Sequence, residues 1–259
     1  MGHGRSFPWR ENDDEYEILV SEVMLQQTQT DRVLRKYRPF LDVFPDYERL
    51  SRASTARLLE MWQGLGYNRR ALALREIAVQ VLERGGRLPS DEETLRSYPM
   101  IGPGTAGSLR AFVFGLPSVF LETNIRRVVL HHFFPEREGV PDRELLPVVE
   151  ETLDGSDPRR WYYALMDYGV FLKNRVENPN RRSSHYRKQA PFEGSNRQLR
   201  GRVLRSLLSG GAVCYDDLLE ETGSRPEALE TCLEGLERDG FIVREDARYS
   251  LREESKRPL

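Results

Sequence analysis

Cysteine is nearly absent: Cys214 and Cys232, with seventeen residues between them, are the whole supply in 259 residues. Two thiols exclude a four-thiolate iron–sulfur cluster and a cysteine-rich zinc site, and they read as core thiols. Lysine is almost as scarce. Lys36, Lys173, Lys188 and Lys256 stand against 35 arginines, and no lysine falls between Lys36 and Lys173. The middle of the chain therefore has no amine to act as a nucleophile. No apolar run is long enough to span a bilayer, and the opening M-G-H-G-R-S-F-P-W-R lacks a signal-peptide core. A cytoplasmic, nucleoid-associated protein without membrane contact is expected. Period-two alternation is almost missing before residue 240, which leaves the first 175 residues all-helical.

Hydrophobic residues make up 39% and charged residues 31%, the balance of a folded soluble chain with room for more than one domain. The net charge of −2 conceals an uneven distribution. Residues 173–207 hold ten Arg and Lys against Glu177 and Glu193, a local excess of +8. Such a stripe on an otherwise acidic chain is a footprint for a polyanion, or a solvated linker.

Apolar spacing predicts two helices over 15–45, then helices near 47–63, 69–84, 91–98, 105–115, 124–134, 143–153 and 158–173. Breaks fall at F-P-D, G-L-G-Y, R-G-G-R-L-P-S and G-L-P. Residues 176–197 lack an apolar period and read as an extended basic connector on the surface. Residues 198–259 then predict three helices and a short hairpin, a small winged-helix-like domain. Its third helix is the usual DNA reader. Here residues 215–239 carry nine acids against Arg225 and Arg238, which favours a structural cap or a protein contact instead.

Residues 99–127 carry the densest signal: P-M-I-G-P-G-T-A-G-S-L-R-A-F and then L-E-T-N-I-R-R. The first part reads as a hairpin between helices, with Gly102 and Gly104 free to take conformations closed to other residues. The helix opened by Thr105 and Ala106 offers N–H groups to a phosphate. Glu122 follows eighteen positions after Gly104, at a helix start.

Four ordered segments, F-P-W-R at 7–10, S-E-V-M-L-Q-Q-T-Q at 21–29, W-Q-G-L-G-Y at 62–67 and the hairpin with its acid at 99–127, resemble the helix-hairpin-helix base-excision DNA glycosylases of the endonuclease III and adenine glycosylase (MutY) type, the adenine branch most closely. The resemblance runs from residue 7 to about 172. It implies a mainly α, two-lobed glycosylase domain over 1–175, with a middle lobe of about 23–134 and a cleft between the lobes. The partner would be double-stranded DNA carrying a mispaired or damaged base, met by a monomer.

By the same resemblance, Glu22 is the acid that protonates a flipped purine and helps water attack the sugar, and Glu122 steadies the positive charge that develops on the deoxyribose. E-T-N here replaces the family's D-x-N. Gly104 stands where bifunctional lyases carry a Schiff-base lysine, so a monofunctional hydrolase is implied. Gln27 matches the residue that fills the gap left by a flipped base, while Thr28 and Tyr67 match contacts near its partner. Gly102, Gly104 and Thr105 form the phosphate seat, joined on the connector by Arg181, Arg182 and Arg187. Trp9 and Arg10 resemble the edge of the base pocket, where Tyr163 replaces a glutamate. The four-cysteine loop expected after A-L-M-D-Y-G is missing, so no metal and no cluster is expected; the sequence leaves open a monovalent cation at the hairpin carbonyls. Adenine opposite guanine or 8-oxoguanine is the leading substrate. Thymine or uracil opposite guanine, and non-catalytic binding to damaged DNA, are the alternatives.

Overall fold

The computed structural model describes residues 4–188 and 191–253; residues 1–3, residues 189–190 of the expected connector and residues 254–259 of the expected C-terminal domain lie outside the described residues. The helices run α1 (Glu15–Leu25), α2 (Thr30–Val43), α3 (Tyr47–Ser51), α4 (Thr55–Trp62), α5 (Arg69–Glu83), α6 (Glu92–Ser97), α7 (Pro103–Phe114), α8 (Thr123–Phe133), α9 (Asp142–Thr152), α10 (Pro158–Lys173), α11 (Asn196–Gly210), α12 (Tyr215–Thr222) and α13 (Pro226–Arg238). Three short strands, β1 (Val213–Cys214), β2 (Ile242–Glu245) and β3 (Arg248–Leu251), form an antiparallel sheet in the order β1-β3-β2. No helix among the described residues is long and apolar enough to cross a membrane.

Local chemistry sets most of these boundaries. Asp46, Asp91 and Asp157 cap their helices by accepting a backbone N–H three residues on. The helix expected over 47–63 is two helices, because Ser54 caps a new start by accepting from the Arg57 N–H at 3.2 Å. The helix expected from residue 105 begins at Pro103, whose missing N–H suits the first helical position.

Contacts divide the chain into two compact units, Met1–Val23 with Arg87–Lys188, and Met24–Gly86 with Gln189–Leu259. The expected middle lobe of about 23–134 covers parts of both units, the hairpin and α8 being grouped with Met1–Val23 and α2 to α5 with the C-terminal helices. In the first unit α8 and α10 approach closely at Gly169, where an added Cβ would meet the Asn124 carbonyl oxygen at 2.5 Å. Arg127 ties the same crossing by donating from Nη1 to Gly169 O (2.8 Å) and Asn124 Oδ1 (2.7 Å).

In the second unit, the winged-helix core of Val203, Leu207, Leu218, Leu229, Leu236 and Phe241 also takes in Leu59 of α4. Leu72 of α5 packs on its rim. Asp239 receives Arg200 at 2.6 Å and lies 3.6 Å from Arg69. The C-terminal helices therefore share a core with α4 and α5. The expected two-stranded hairpin gains a third strand, since Val213 and Cys214 pair with Tyr249 and Arg248.

The expected surface connector is only partly one. Pro179–Arg182 form a 3-10 turn capped by Asn178, with Pro179, Asn180 and Ser183 buried. Asn180 donates to Thr123 O at 3.1 Å, and Val140 N–H donates to Arg182 O at 2.8 Å. An Asn-Pro turn that satisfies its own backbone packs against a helix where a charge run alone promised a solvated strand.

Candidate active site

The first unit brings Glu22, Ser108, Glu122, Arg10 and Tyr163 into one neighbourhood. Glu22 lies on α1 among the buried Val20, Val23 and Met24. Its Oε2 sits 2.5 Å from Ser108 Oγ, on the second turn of α7. Burial pushes the Glu22 carboxyl up to about 7; the Ser108 bond opposes this, the charge of Glu122 adds to it and Arg10 opposes it.

Glu122 caps α8. Its Oε1 accepts the N–H groups of Asn124 (2.7 Å) and Ile125 (2.8 Å), and its Oε2 accepts Asn124 Nδ2 at 3.2 Å. Burial raises this carboxyl too, against the Ile125 and Asn124 N–H groups and then the charges of Arg127 and Arg126. The two acids are unequally provided for. Glu122 has a helix N-terminus and two guanidinium groups, all of which favour an anion. Glu22 has one hydroxyl and a distant Arg10.

Tyr163 of α10 stacks on Phe112, with centroids 4.6 Å apart, and the Arg10 guanidinium lies 4.4 Å above its ring centroid. Burial pushes its phenol up to about 12, and the charge of Glu22 adds to that. Arg10 is fixed from the other side by Asp167, 3.0 Å from both carboxylate oxygens. Trp9, expected at the pocket edge, is buried and stacked on Phe7 at 5.0 Å.

The hairpin uses its glycines differently from the expectation. Gly102 caps α7 with φ −86°, and Gly104 is an ordinary helical residue whose added Cβ would meet only Leu121 O, at 3.5 Å. The left-handed residue of this turn is Met100, φ 61°. No side chain caps α7, no acid occupies its first turn, and Ala106 N–H is bonded to Gly102 O at 2.9 Å. Gly102, Gly104 and Thr105 thus stand at a helix start suited to a phosphate.

The second unit carries Gln27, Thr28 and Tyr67. Gln27 and Tyr67 are left-handed, φ 52° and 47°, and both are exposed. Tyr67 accepts a hydrogen bond from Arg197 Nη1 at 3.2 Å. The connector arginines differ from one another. Arg181 pairs with Glu177 at 2.9 Å, and Arg187 donates to the local carbonyls of Ser184 and Tyr186. Arg182 donates to Leu130 O and Pro135 O, both at 2.9 Å, closing the C-terminal end of α8. It belongs to the fold rather than to a solvated stripe.

The donors for a cluster do not fit. Cys232 is buried in the C-terminal core and Cys214 caps α12, both in the second unit. Among the described residues no group of three His, Cys, Asp or Glu is placed to hold a metal.

The two half-buried acids thus lie beside a helix start that no side chain caps, on a mainly helical scaffold. The HhH-GPD superfamily of base excision DNA repair proteins matches residues 20–146. An adenine DNA glycosylase of Mycobacterium tuberculosis is 30% identical over 95% of this chain and 89% of its own. An adenine DNA glycosylase of Buchnera aphidicola is 29% identical over 65% of this chain, which spans only about half (48%) of that relative's length. The solved structure of a thermostable thymine-DNA glycosylase superposes with a TM-score of 0.57 at 24% identity, covering 64% of this chain and 78% of its own, a likeness of fold. The chain belongs to the HhH-GPD superfamily of base excision DNA repair proteins.

Proposed function

We propose that this protein is a monofunctional, cluster-free DNA glycosylase that hydrolyses the N-glycosidic bond of a mispaired base turned out of the duplex. Adenine opposite guanine or 8-oxoguanine is the leading substrate. The supporting observation is the acid pair: Glu22, whose carboxyl burial pushes up to about 7, beside Glu122, whose Oε1 accepts two N–H groups at a helix start. A neutral adenine leaves poorly as an anion. Glu22 gives its proton to the base as the bond to the sugar breaks, and as carboxylate it then takes a proton from the attacking water. Glu122 faces the positive charge on the ribose ring. The open start of α7 seats a backbone phosphate, Gln27 fills the gap in the stack, and Thr28 and Tyr67 meet the partner base. The enzyme works as a monomer on double-stranded DNA in the cytoplasm.

Gly104 and the absence of lysine from 37 to 172 speak against an imine, so release of base without strand cleavage is the expected outcome. Single-turnover release of free base from a panel of mismatched duplexes tests the proposal, with Glu22→Gln as the control. Full activity in that variant refutes the mechanism, and a borohydride-trapped DNA adduct refutes the monofunctional reading. Thymine or uracil opposite guanine is the second reading. It is favoured by Tyr163, which puts a phenol where a purine-reading carboxylate is expected.

A further inference from the structure

Arg70, in the first turn of α5, is 1% exposed. Its Nη1 donates to Met24 O (2.8 Å) and Gln26 O (2.6 Å). Its Nη2 donates to Thr28 Oγ1 (2.9 Å), Gly66 O (2.8 Å) and Leu65 O (3.1 Å). The guanidinium also lies over the Trp62 and Tyr67 rings, 5.5 and 5.6 Å from their centroids. Burying a cation on neutral carbonyls is costly, and its planar fork is the one side-chain geometry that can hold two chain segments together in this way.

Both segments are strained at the residues that matter. Gln27 and Tyr67 have positive φ without being glycine, a conformation that is costly for a residue with a Cβ. The torsion φ rotates a residue against the peptide plane that precedes it. Pinning the carbonyl just before the residue therefore fixes φ. Arg70 grips Gln26 O, directly before Gln27, and Gly66 O, directly before Tyr67.

We infer that Arg70 is the positioning residue that holds Gln27 and Tyr67 together in their left-handed, outward poses, so that the two act as one probe of a gap in a base stack. The inference rests on the roles proposed above for Gln27 and Tyr67. It concerns binding to a gap and needs no base release.

The test compares affinities for two duplexes, alike except that one carries a single tetrahydrofuran abasic gap opposite guanine. The wild type is expected to prefer the gapped duplex. Arg70→Lys, which keeps the charge but not the fork, is expected to cut that preference on the order of tenfold with affinity for intact duplex unchanged. In a Gln27→Ala, Tyr67→Ala background the same substitution is expected to change nothing further. A preference retained in Arg70→Lys, an equal loss on both duplexes, a further loss in the doubly substituted background, or no preference in the wild type overturns the inference. Should Arg70→Lys not fold, Arg70→Gln, which keeps a planar donor but not the two-pronged fork, must lower the preference with affinity for intact duplex unchanged; an unchanged preference overturns the inference. A protein that releases no base from any mismatch yet shows the expected pattern loses the glycosylase reading and keeps this one.

Discussion

Two ionisable side chains, the buried Arg70 and the half-buried Glu22, one in each compact unit, are treated in opposite ways. Arg70 is surrounded by carbonyls that accept nearly every proton its guanidinium offers, and the return is geometry: two turns held in poses they would otherwise leave. Glu22 is given a single hydroxyl, and the return is chemistry: a carboxyl raised to about 7 that holds a proton near neutrality. A satisfied buried charge holds structure, whereas an under-satisfied one stores the free energy that a proton transfer uses.

The comparison breaks most visibly at the acids. Glu22→Gln keeps the shape and removes the titrating group, so single-turnover base release should fall on the order of a thousandfold. A folded variant of near wild-type rate would place the chemistry elsewhere. Glu22 is also a liability to the fold. Its raised value means that the folded state holds a proton the unfolded chain gives up, so stability drains away as pH rises from the unfolded value through about 7. Thermal melts at pH 8 should accordingly find Glu22→Gln more stable than wild type by on the order of 1–3 kcal/mol, with the difference gone below about pH 4.5.

Smaller effects separate the cations. Truncating Arg182→Ala leaves the Leu130 carbonyl of α8 and the Pro135 carbonyl beyond it without this donor, and denaturant unfolding should show a loss of about 1–3 kcal/mol. Arg181 pairs with Glu177 four residues away and Arg187 with carbonyls of its own segment. Neutralising both should leave unfolding unchanged and flatten the dependence of log affinity on log salt by about two units if each meets a phosphate. An unchanged slope would remove the connector from the DNA footprint.

Much of the helical frame was legible because helices advertise themselves through apolar spacing and capping residues, as Asp91 and Asp157 do. Glu122 was legible as a helix start for the same reason. The glycines misled: Gly102 and Gly104 promised unusual backbone, but the left-handed position of the hairpin belongs to Met100. Asn180 and Arg182 were read as part of a charge run, although the preceding Asn-Pro marks a turn that can pack. Arg70 was invisible for a deeper reason. Its partners are backbone carbonyls, which every residue possesses, so no side-chain pattern announces them. The one hint was the neighbouring G-L-G-Y turn, whose positive-φ Gly64, Gly66 and Tyr67 demand something to hold them.

The pH dependence of single-turnover base release tests the central claim, a proton held on Glu22, most directly. With Glu22 acting as the acid, the rate should hold below about pH 7 and fall tenfold per unit above it. In Ser108→Ala, which lacks the bond that opposes the upward shift, the fall should begin at higher pH. A rate that is flat from pH 5 to pH 9 in the wild type, or a limb that does not move in Ser108→Ala, would contradict it.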